Sequence, residues 1–314
     1  LFLTPEQKDI ATIGAKTQSI TQKKTSKLCA LAFLKPMKKT FYSNGKLLIT
    51  SEYLVLDGAK ALALPTKFGQ DLTVEPGTYD KIYWTSYDYD GSFWFDDTFA
   101  FSEITHKTQY ENQPVKNMLI AILHEAFLLN PDFLKESEGY TITTKLTFPK
   151  FWGLGTSSTL INNIAQWLEI DAYTLLQNSF GGSGYDIACA QNHTPILYQR
   201  INGKPNATPI VFEPECAANI YFVYLNQKQD SRAAIAAYRK KSNTIAQIIP
   251  KFDAITASIL QENNFHSLAS ALAQHESEMS QILELPKVHE DLFSDFKGTI
   301  KSLGAWGGDF VLVL

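Results

Sequence analysis

Residues 148–159 combine two glycines with four consecutive hydroxyl side chains, in the order Phe-Pro-Lys-Phe-Trp-Gly-Leu-Gly-Thr-Ser-Ser-Thr. A strand-like stretch at 141–148 leads into this run, and a helix-like stretch at 160–168 follows it. Glycines let the backbone approach a ligand closely, and the N–H groups of a first helical turn have no partners within the helix. Such a helix start binds anions, above all phosphate. The run therefore predicts a phosphate site near the middle of the chain.

A helix cap is the simpler interpretation of the same run, because a hydroxyl residue after a glycine turn commonly begins a helix. The run is not a Walker loop, since no Gly-Lys-Ser/Thr follows, and it lacks the third glycine of a dinucleotide-binding fingerprint. Short motifs of this kind also give many false positives. Other segments must decide between a cap and a ligand site.

Three other segments carry residues suited to phosphate chemistry. Residues 43–56 place Lys46 at the start of an apolar run, residues 181–190 place Asp186 after Gly-Gly-Ser-Gly-Tyr, and residues 301–310 hold a glycine-rich turn. A lysine can neutralise charge that develops on a transferred phosphoryl group, and a carboxylate can accept a proton. The plain alternatives are a solvated lysine at a strand end, a turn aspartate and an ordinary turn.

The elements that must position these segments follow a mixed pattern. An Asp-Gly pair at 57–58 between apolar runs predicts a hairpin, and the aromatic residues within 83–95 are expected to pack on a sheet face. Helices are predicted at 118–129, at 160–168 and at 265–283, the second with a 3.6-residue apolar stripe. Strands and helices in this order predict an α+β fold with two domains side by side.

Composition narrows the class of protein. The chain has 314 residues, of which 45% are hydrophobic and 19% charged, with a net charge of −4, which is typical of a globular protein. The chain has no excess of basic residues, so its charge does not favour a nucleic-acid or membrane partner. None of its apolar runs approaches the ~20 residues that span a bilayer. Cys29, Cys189 and Cys216 form no CxxC pair, which argues against disulfides or structural zinc and favours a reducing cytoplasm.

Domain boundaries are predicted from polar, turn-rich stretches. The stretch 201–206 separates an N-terminal domain, residues 37–205, from a C-terminal domain, residues 206–314. Residues 1–36 are expected to be a disordered or non-native lead before Met37, with an extra N-terminal helix as the alternative. The chain stops within a strand-like run, so the C-terminal domain is expected to be cut short.

Taken together, the four segments resemble, in order and spacing, the motifs of the GHMP kinase family, which includes galactokinase, homoserine kinase, mevalonate kinase and phosphomevalonate kinase. Residues 43–56 resemble its Pro-Gly-Lys…Gly-Glu-Tyr/His…Val-Leu motif, and residues 153–158 resemble its Gly-Leu-Gly-Ser-Ser phosphate loop. Residues 183–186 resemble its Ser-Gly-x-Asp segment, and residues 304–309 resemble its C-terminal glycine motif. The string Gly-Tyr-Asp-Ile-Ala is also similar to the signature of a bacterial subgroup.

The resemblance implies an ATP-dependent kinase of a small hydroxyl or phosphate substrate, with ATP and Mg²⁺ as cofactors. Segments 183–186 and 301–309 are most similar to phosphomevalonate kinases, which implies mevalonate or phosphomevalonate as the acceptor, in isoprenoid precursor synthesis. The implied fold joins an N-terminal domain like ribosomal protein S5 domain 2 to a ferredoxin-like C-terminal domain. A monomer or homodimer without nucleic-acid or membrane partners is expected.

The resemblance also implies roles for individual residues. Asp186 would take the proton of the acceptor or orient it, and Lys46 would pair with Asp186 or with the transferring phosphoryl group. Ser157 aligns with the serine that holds magnesium. The residues implied to bind the ATP phosphates are Gly153, Leu154, Gly155, Thr156, Ser157 and Ser158. The residues implied to contact the substrate are Gly304, Ala305, Gly307 and Gly308.

Residues 227–232 add a weaker candidate, ahead of an alanine-rich helical stretch. Ser231 and Arg232 could meet an anionic substrate there. An N-cap is the more frequent role of Asp230 or Ser231 in such a place. Ser231 and Arg232 are therefore kept only as candidate substrate contacts.

Four positions depart from the family pattern. Asn44 stands where the family usually has Pro, Ser51 where it often has Gly, and Trp306 where it has a small residue. Leu175 stands where many members carry a magnesium-binding Glu. Either Ser157 and water complete the metal shell, since magnesium readily keeps waters, or the enzyme is weakened.

Two other functions stay open. One is a diphosphomevalonate decarboxylase-like lyase, since the family includes such enzymes, and the other is a non-catalytic nucleotide-binding paralogue. The string at 181–186 favours a kinase over the lyase. Leu175 and Trp306 keep the paralogue open.

Overall fold

Residues 38–227, 235–236, 238–240 and 245–314 are described by the computed structural model of this chain. Within them the strands are β1 (Lys39–Leu48), β2 (Ala61–Pro76), β3 (Lys81–Tyr87), β4 (Phe93–Ala100), β5 (Gly139–Leu146), β6 (Ile196–Ile201), β7 (Lys204–Pro209), β8 (Tyr221–Tyr224), β9 (Ile300–Leu303) and β10 (Phe310–Val313). The helices in the same residues are α1 (Phe101–Thr105), α2 (Pro114–Leu129), α3 (Asp132–Lys135), α4 (Thr156–Leu168), α5 (Ala172–Ser179), α6 (Tyr185–Gln191), α7 (Ile245–Gln261), α8 (Phe265–Leu283) and α9 (Val288–Leu292). The lead predicted at residues 1–36 lies outside the described residues.

The larger sheet has the strand order β4-β3-β5-β2-β6-β7, and β1 pairs with β2 outside this order. β3 and β5 run parallel, while the other pairs are antiparallel. The 16-residue strand β2 is the hub, because it pairs with β1, β5 and β6. A register shift between Asn44 and Lys46 interrupts the β1–β2 ladder. Such irregularities re-aim side chains and are common beside functional sites.

An apolar core joins this sheet to helices α2, α4 and α5. The predicted stripe of α4 is confirmed, since all its members are buried: Leu160, Ile161, Ile164, Ala165 and Leu168. Each fully buried large aliphatic side chain contributes about 1.5–3 kcal/mol. The stripe therefore fixes α4 against the sheet, and with it the glycine run that precedes the helix.

The smaller sheet is antiparallel, in the order β8-β10-β9. Its residues Leu303 and Phe310 share an apolar cluster with Ile49, Leu62 and Leu154 from the first half of the chain. The predicted α+β fold class is confirmed. Within the described residues, none of the helices is long and apolar enough to cross a bilayer.

The stretch predicted as a domain boundary forms the turn of the β6–β7 hairpin. Asn202 and Gly203 make this turn with positive φ values of 52° and 77°. β7 then continues to Pro209 within the larger sheet. The position 205/206 thus falls inside a strand, and the division into two domains stays a prediction.

The tight hairpin turn predicted at Asp57 and Gly58 is wrong, although residues 47–48 of β1 and 63–64 of β2 do pair antiparallel. Residues Leu54–Asp57 form a 3-10 turn, which Gly58 ends with a φ of 95°. Ser51 and Tyr53 adopt left-handed φ values of 61° and 63°, so the chain leaves the extended conformation there. A short apolar run fits a strand and a buried helical turn equally well, and the pattern could not separate them.

Candidate functional site

The glycine run before α4 has the geometry of an anion cradle. Gly153 and Gly155 have left-handed φ values of 66° and 99°, which L side chains rarely adopt. Gly155 is the N-cap residue of α4 and has no side chain to cap the first turn. The N–H groups of that turn are therefore available to a ligand, and the helix dipole favours an anion at this end.

The four hydroxyl residues of the run divide into two pairs. Ser158 donates to the carbonyl oxygen of Gly155 at 2.9 Å, and Thr159 donates to Gln70 Oε1 at 2.8 Å, and both residues are buried. Thr156 and Ser157 are half-buried and line a cavity at the start of α4. Their hydroxyls can reach a ligand, whereas the hydroxyl of Ser158 is engaged within the loop.

The loop lies in close contact with two other predicted segments. The backbone N–H of Lys46 donates to the carbonyl oxygen of Leu154 at 3.0 Å, which ties β1 to the loop. A Cβ at Gly155 would come within 3.3 Å of Lys46 Cγ. A Cβ at Gly153 would overlap the carboxylate of Asp309. The segments that carry Lys46, the loop 153–155 and Asp309 are far apart in sequence but pack against one another here.

Lys46 provides the positive charge of the candidate site. Its Nζ lies 5.9 Å from the centroid of the Tyr185 ring. Burial lowers the pKa of Lys46, but Tyr185, Asp186 and Asp309 outweigh it and leave the pKa above its usual value. Lys46 is therefore protonated at neutral pH, as a group that neutralises phosphate charge must be.

Asp186 lies in the first turn of α6, directly after Gly184, which has a φ of 90°. Its Oδ1 accepts a hydrogen bond from the N–H of Ile187 at 3.2 Å, and the side chain is half-buried. Burial raises the pKa of Asp186, while the charge of Lys46 opposes the rise. A carboxylate with a raised pKa is a better proton acceptor. Asp186 is also close enough to Lys46 for the lysine's charge to affect its pKa.

The third glycine segment forms the turn between β9 and β10. Gly304 and Gly307 have positive φ values of 67° and 74°, and the N–H of Gly308 donates to the carbonyl oxygen of Ala305 at 3.2 Å. Gly304 lines a cavity with residues of the site, whereas Ala305, Gly307 and Gly308 shape the turn.

Asp309 ends the same turn and is absent from the predicted site residues. Together with Lys46, Gly153 and Gly304 it lines one small cavity, and its negative charge raises the pKa of Lys46. The sequence signal that could have identified Asp309 is its position directly after the Gly307-Gly308 pair. The site thus has two carboxylates, Asp186 and Asp309, around one lysine.

A second cavity opens at Thr156 and Ser157 and has an aromatic wall that includes Trp84 and Trp94. The indole N–H of Trp84 donates to Ser86 Oγ at 3.0 Å. The indole nitrogen of Trp94 is buried and has no hydrogen-bond acceptor among the residues that the structure describes. A buried unpaired donor costs about 1–3 kcal/mol, so this N–H is suited to an acceptor atom of a ligand.

The departures from the family pattern have structural explanations. Asn44 donates through Nδ2 to the carbonyl oxygen of Asn192 at 2.6 Å, which anchors β1 to the end of α6. Ser51 adopts a positive φ of 61° and donates through Oγ to the carbonyl oxygen of Lys60 at 2.6 Å. Trp306 is buried in an apolar cluster with Tyr53, so its ring packs into the core.

Two candidate substrate contacts, Ser231 and Arg232, and the position of the family's magnesium-binding Glu, Leu175, remain to be placed. Ser231 and Arg232 lie outside the described residues. Leu175 is fully buried in the apolar core of the larger sheet. Within the part of the chain that the structure describes, no three His, Cys, Asp or Glu side chains form a metal-binding group. Any metal at this site would need oxygen atoms from other sources.

Neither a protein-family model nor a curated protein sequence matches this chain. Solved structures do match it. The mevalonate kinase of Methanococcus jannaschii overlays with a TM-score of 0.63 at 16% identity, covering 89% of this chain and 91% of that one. The phosphomevalonate kinase of Streptococcus pneumoniae, solved with phosphomevalonate and AMPPNP, gives 0.63 at 16%, covering 88% and 91%.

The galactokinase of Lactococcus lactis, solved with galactose, gives a TM-score of 0.62 at 13% identity, covering 89% of this chain and 86% of that one. Likeness at these identities establishes the fold and leaves the acceptor open. Nearly the whole length of each kinase is matched. The chain therefore has the fold of the GHMP kinase family.

Proposed function

We propose that this protein is an ATP-dependent kinase that phosphorylates a small molecule. The observation that carries the proposal is the position of Lys46, which is tied through its backbone to Leu154 before the uncapped first turn of α4 and whose Nζ lies 5.9 Å from the ring of Tyr185, the residue before Asp186. Phosphoryl transfer needs charge neutralisation and positioning more than covalent help. An anion cradle, a protonated lysine and a carboxylate with a raised pKa are the parts that this chemistry requires.

The roles follow from the chemistry of each group. The first-turn N–H groups and the hydroxyl of Thr156 hold the phosphates of the nucleotide. Lys46 stabilises the negative charge that gathers on the phosphoryl group during transfer. Asp186 accepts the proton of the attacking hydroxyl, or orients the acceptor where a phosphate oxygen attacks.

Magnesium fits this site through oxygen donors that a nucleotide brings. Ser157 would hold the ion, with phosphate oxygens and waters as its other ligands, since Mg²⁺ keeps several waters. Leu175 lies in the apolar core and offers no donor. Bound magnesium supplies neutralisation of phosphate charge.

Mevalonate or phosphomevalonate is the acceptor we favour. The segments at 183–186 and 301–309 support this choice by their resemblance to phosphomevalonate kinases, and two of the similar solved structures are kinases of these compounds. The similar galactokinase makes a sugar the first alternative.

The test is turnover by the purified protein with ATP and Mg²⁺. The acceptors are mevalonate, 5-phosphomevalonate, 5-diphosphomevalonate and galactose, and both ADP and CO₂ are followed. We expect ADP without CO₂ in the presence of mevalonate or 5-phosphomevalonate. CO₂ release would establish the lyase instead, and measurable ATP binding without any turnover would establish the non-catalytic paralogue.

The cavity at Trp94 yields a prediction about nucleotide binding. We expect Trp94→Phe to weaken ATP binding about fivefold, because one hydrogen bond of about 1 kcal/mol is lost. The dissociation constant is measured by calorimetry. Phe93→Leu, on the same strand and 71% exposed, is the control and should bind like the wild type. Equal binding by Trp94→Phe and the wild type would show that the indole N–H meets no atom of ATP.

The packing of Gly153 yields a second prediction. Gly153→Ala is expected to lower turnover about 10²-fold, because a misplacement of about 1 Å at a reacting group can cost that much. Gly181→Ala is the matched control: Gly181 has a similar φ of 71°, but nothing lies within 4 Å of its added Cβ. Turnover numbers of the two variants separate backbone strain from the contact with Asp309. Equal losses in both would contradict the steric explanation.

A further inference from the structure

A buried group of charged side chains lies beside the candidate site and has no role in the chemistry above. Lys301 of β9 forms an ion pair with Glu52, and the side chains are 0% and 1% exposed. Nζ of Lys301 also donates to the carbonyl oxygen of Ser302 at 2.8 Å. Fully buried lysine and glutamate side chains are rare, so this pair requires an explanation.

Helix α8 adds two further polar residues to the group. Glu276 accepts hydrogen bonds from the backbone N–H of Ser302 at 3.0 Å and from its hydroxyl at 2.9 Å. His275 Nε2 accepts from the backbone N–H of Ser51 at 2.8 Å, so its proton is on Nδ1. Burial lowers the pKa of His275 well below its usual value, and the ring is neutral. We name Glu52, His275, Glu276, Lys301 and Ser302 the buried clamp.

The clamp connects two of the segments that build the site. Ser51 and Glu52 follow β1, the strand that carries Lys46. Lys301 and Ser302 lie in β9, which leads directly into Gly304. The turn at Ser51 is strained by its positive φ of 61°, and such strain persists only where surrounding contacts hold it. His275 of the clamp supplies one of those contacts, and the carbonyl oxygen of Lys60 supplies another.

Stability alone does not account for the clamp. Replacing a buried ion pair by apolar residues of similar size is often neutral or even stabilising. The apolar residues Leu303 and Phe310 already bind the smaller sheet to Ile49 and Leu62. Hydrogen bonds and ion pairs depend on direction, unlike apolar contacts. The clamp can therefore fix the distance and orientation between the end of β1 and β9.

We propose that the buried clamp is a positioning device that holds the loop 304–309, and with it Asp309, at a fixed place against Lys46. The expected effect of the clamp on catalysis rests on the proposed function, whereas its effect on the position of the loop does not. The cavity that contains Trp84 and Trp94 is lined by residues between 70 and 160, so loss of the clamp would alter transfer and spare nucleotide binding.

The test uses the double variant Glu52→Met/Lys301→Met, because removal of one partner alone leaves an unpaired buried charge and can unfold the protein. Thermal unfolding first establishes that the variant folds like the wild type. We expect its kcat to fall about tenfold or more through misplacement of the loop, with the dissociation constant of ATP unchanged within about twofold. Wild-type kcat in the folded double variant would overturn the proposal.

Hydrogen exchange gives a readout that does not depend on the proposed function. In the double variant we expect amides of residues 304–309 to exchange about tenfold faster, as positions with weaker local stability do, while amides of α4 keep their rates. This outcome supports positioning even if the wild-type protein transfers no phosphoryl group. Unchanged exchange at 304–309 would overturn the proposal, whatever the activity.

The pH profile separates positioning from packing. Burial raises the pKa of Glu52 to about 7, although Lys301 opposes the rise and Glu276 adds to it. The groups that face Glu52 are Lys301, His275, Glu276 and the neighbouring Tyr53. Protonation of Glu52 removes the ion pair, so wild-type kcat should fall as the pH drops through about 7. The double variant should lose this limb and keep only the acid limb that protonation of Asp186 sets. An unchanged fall of kcat through about 7 in the double variant would contradict the clamp.

Discussion

We expect Asp186→Asn to lower turnover by about 10²–10⁴-fold, the usual contribution of a positioned general base, and to leave ATP affinity within about twofold of the wild type. The reason is that asparagine keeps the shape of the side chain but cannot accept a proton. The cradle formed by Gly155 and the first turn of α4 is untouched by the change. Initial rates and calorimetric ATP titrations measure the two effects separately.

Asp171→Asn is the matched control for this change. Asp171 caps α5 by accepting a hydrogen bond from the N–H of Thr174 at 2.7 Å, and asparagine caps helices about as well as aspartate. The control therefore removes the same charge without loss of stability or activity. Wild-type rates in Asp186→Asn would remove Asp186 from the reaction.

The raised pKa of Asp186 also sets a pH dependence. Its carboxylate must be unprotonated to accept a proton, so kcat/KM falls as the pH drops through this pKa. Because burial raises the pKa of Asp186, the acid limb should lie above the range of an ordinary aspartate. This limb should disappear in Asp186→Asn, whereas the limb that follows protonation of Glu52 should remain.

Lys46→Met is expected to lower kcat by about 10²–10³-fold, the loss seen when one group that stabilises developing negative charge is removed. Folding should survive, because the hydrogen bond from Lys46 to Leu154 uses the backbone N–H, which methionine keeps. Lys39→Met, an exposed position on the same strand, is the control.

The same variant should move the acid limb of the pH profile. The charge of Lys46 lowers the pKa of Asp186, so its loss should raise that pKa and shift the limb toward higher pH. A full pH profile of the residual activity measures this shift. An unshifted limb, or a kcat like that of the control, would show that Lys46 and Asp186 do not act together.

The part of the site that lies in contiguous sequence could be predicted. The cradle at 153–158 depends on neighbouring glycines and hydroxyls, and its helix depends on a local apolar period. Lys46 and Asp186 became identifiable as parts of longer motifs, although neither stands out alone. The resemblance implies that they act together, and in the structure Nζ of Lys46 lies 5.9 Å from the ring of Tyr185, the residue before Asp186. Their roles stay a prediction.

Residues that depend on tertiary contacts could not be predicted in the same way. Trp94 of β4 lines a cavity together with Trp84 of the paired strand β3 and with Val115 of α2, and nothing in an aromatic-rich strand distinguishes this from ordinary packing. Asp309 belongs to the site because it packs on Gly153, which lies far from it in sequence.

The turn at Ser51 illustrates a local failure of prediction. An apolar run before Asp57-Gly58 reads as a strand, yet contacts with His275 and Lys60 hold the chain in a left-handed turn. His275 lies 224 residues away in sequence, so the local pattern could not reveal the turn or the buried charge of Glu52. Tertiary contacts overrode local preference there.

Transfer of the γ-phosphoryl group is the most direct test of the central claim. The purified chain is incubated with γ-labelled ATP, Mg²⁺ and 5-phosphomevalonate or mevalonate, and the labelled products are separated. We predict label in the acceptor with the wild type and almost none with Asp186→Asn. Label that stays in ATP, or that appears only as inorganic phosphate whichever of these acceptors is present, would contradict the assignment of Lys46 and Asp186 to phosphoryl transfer.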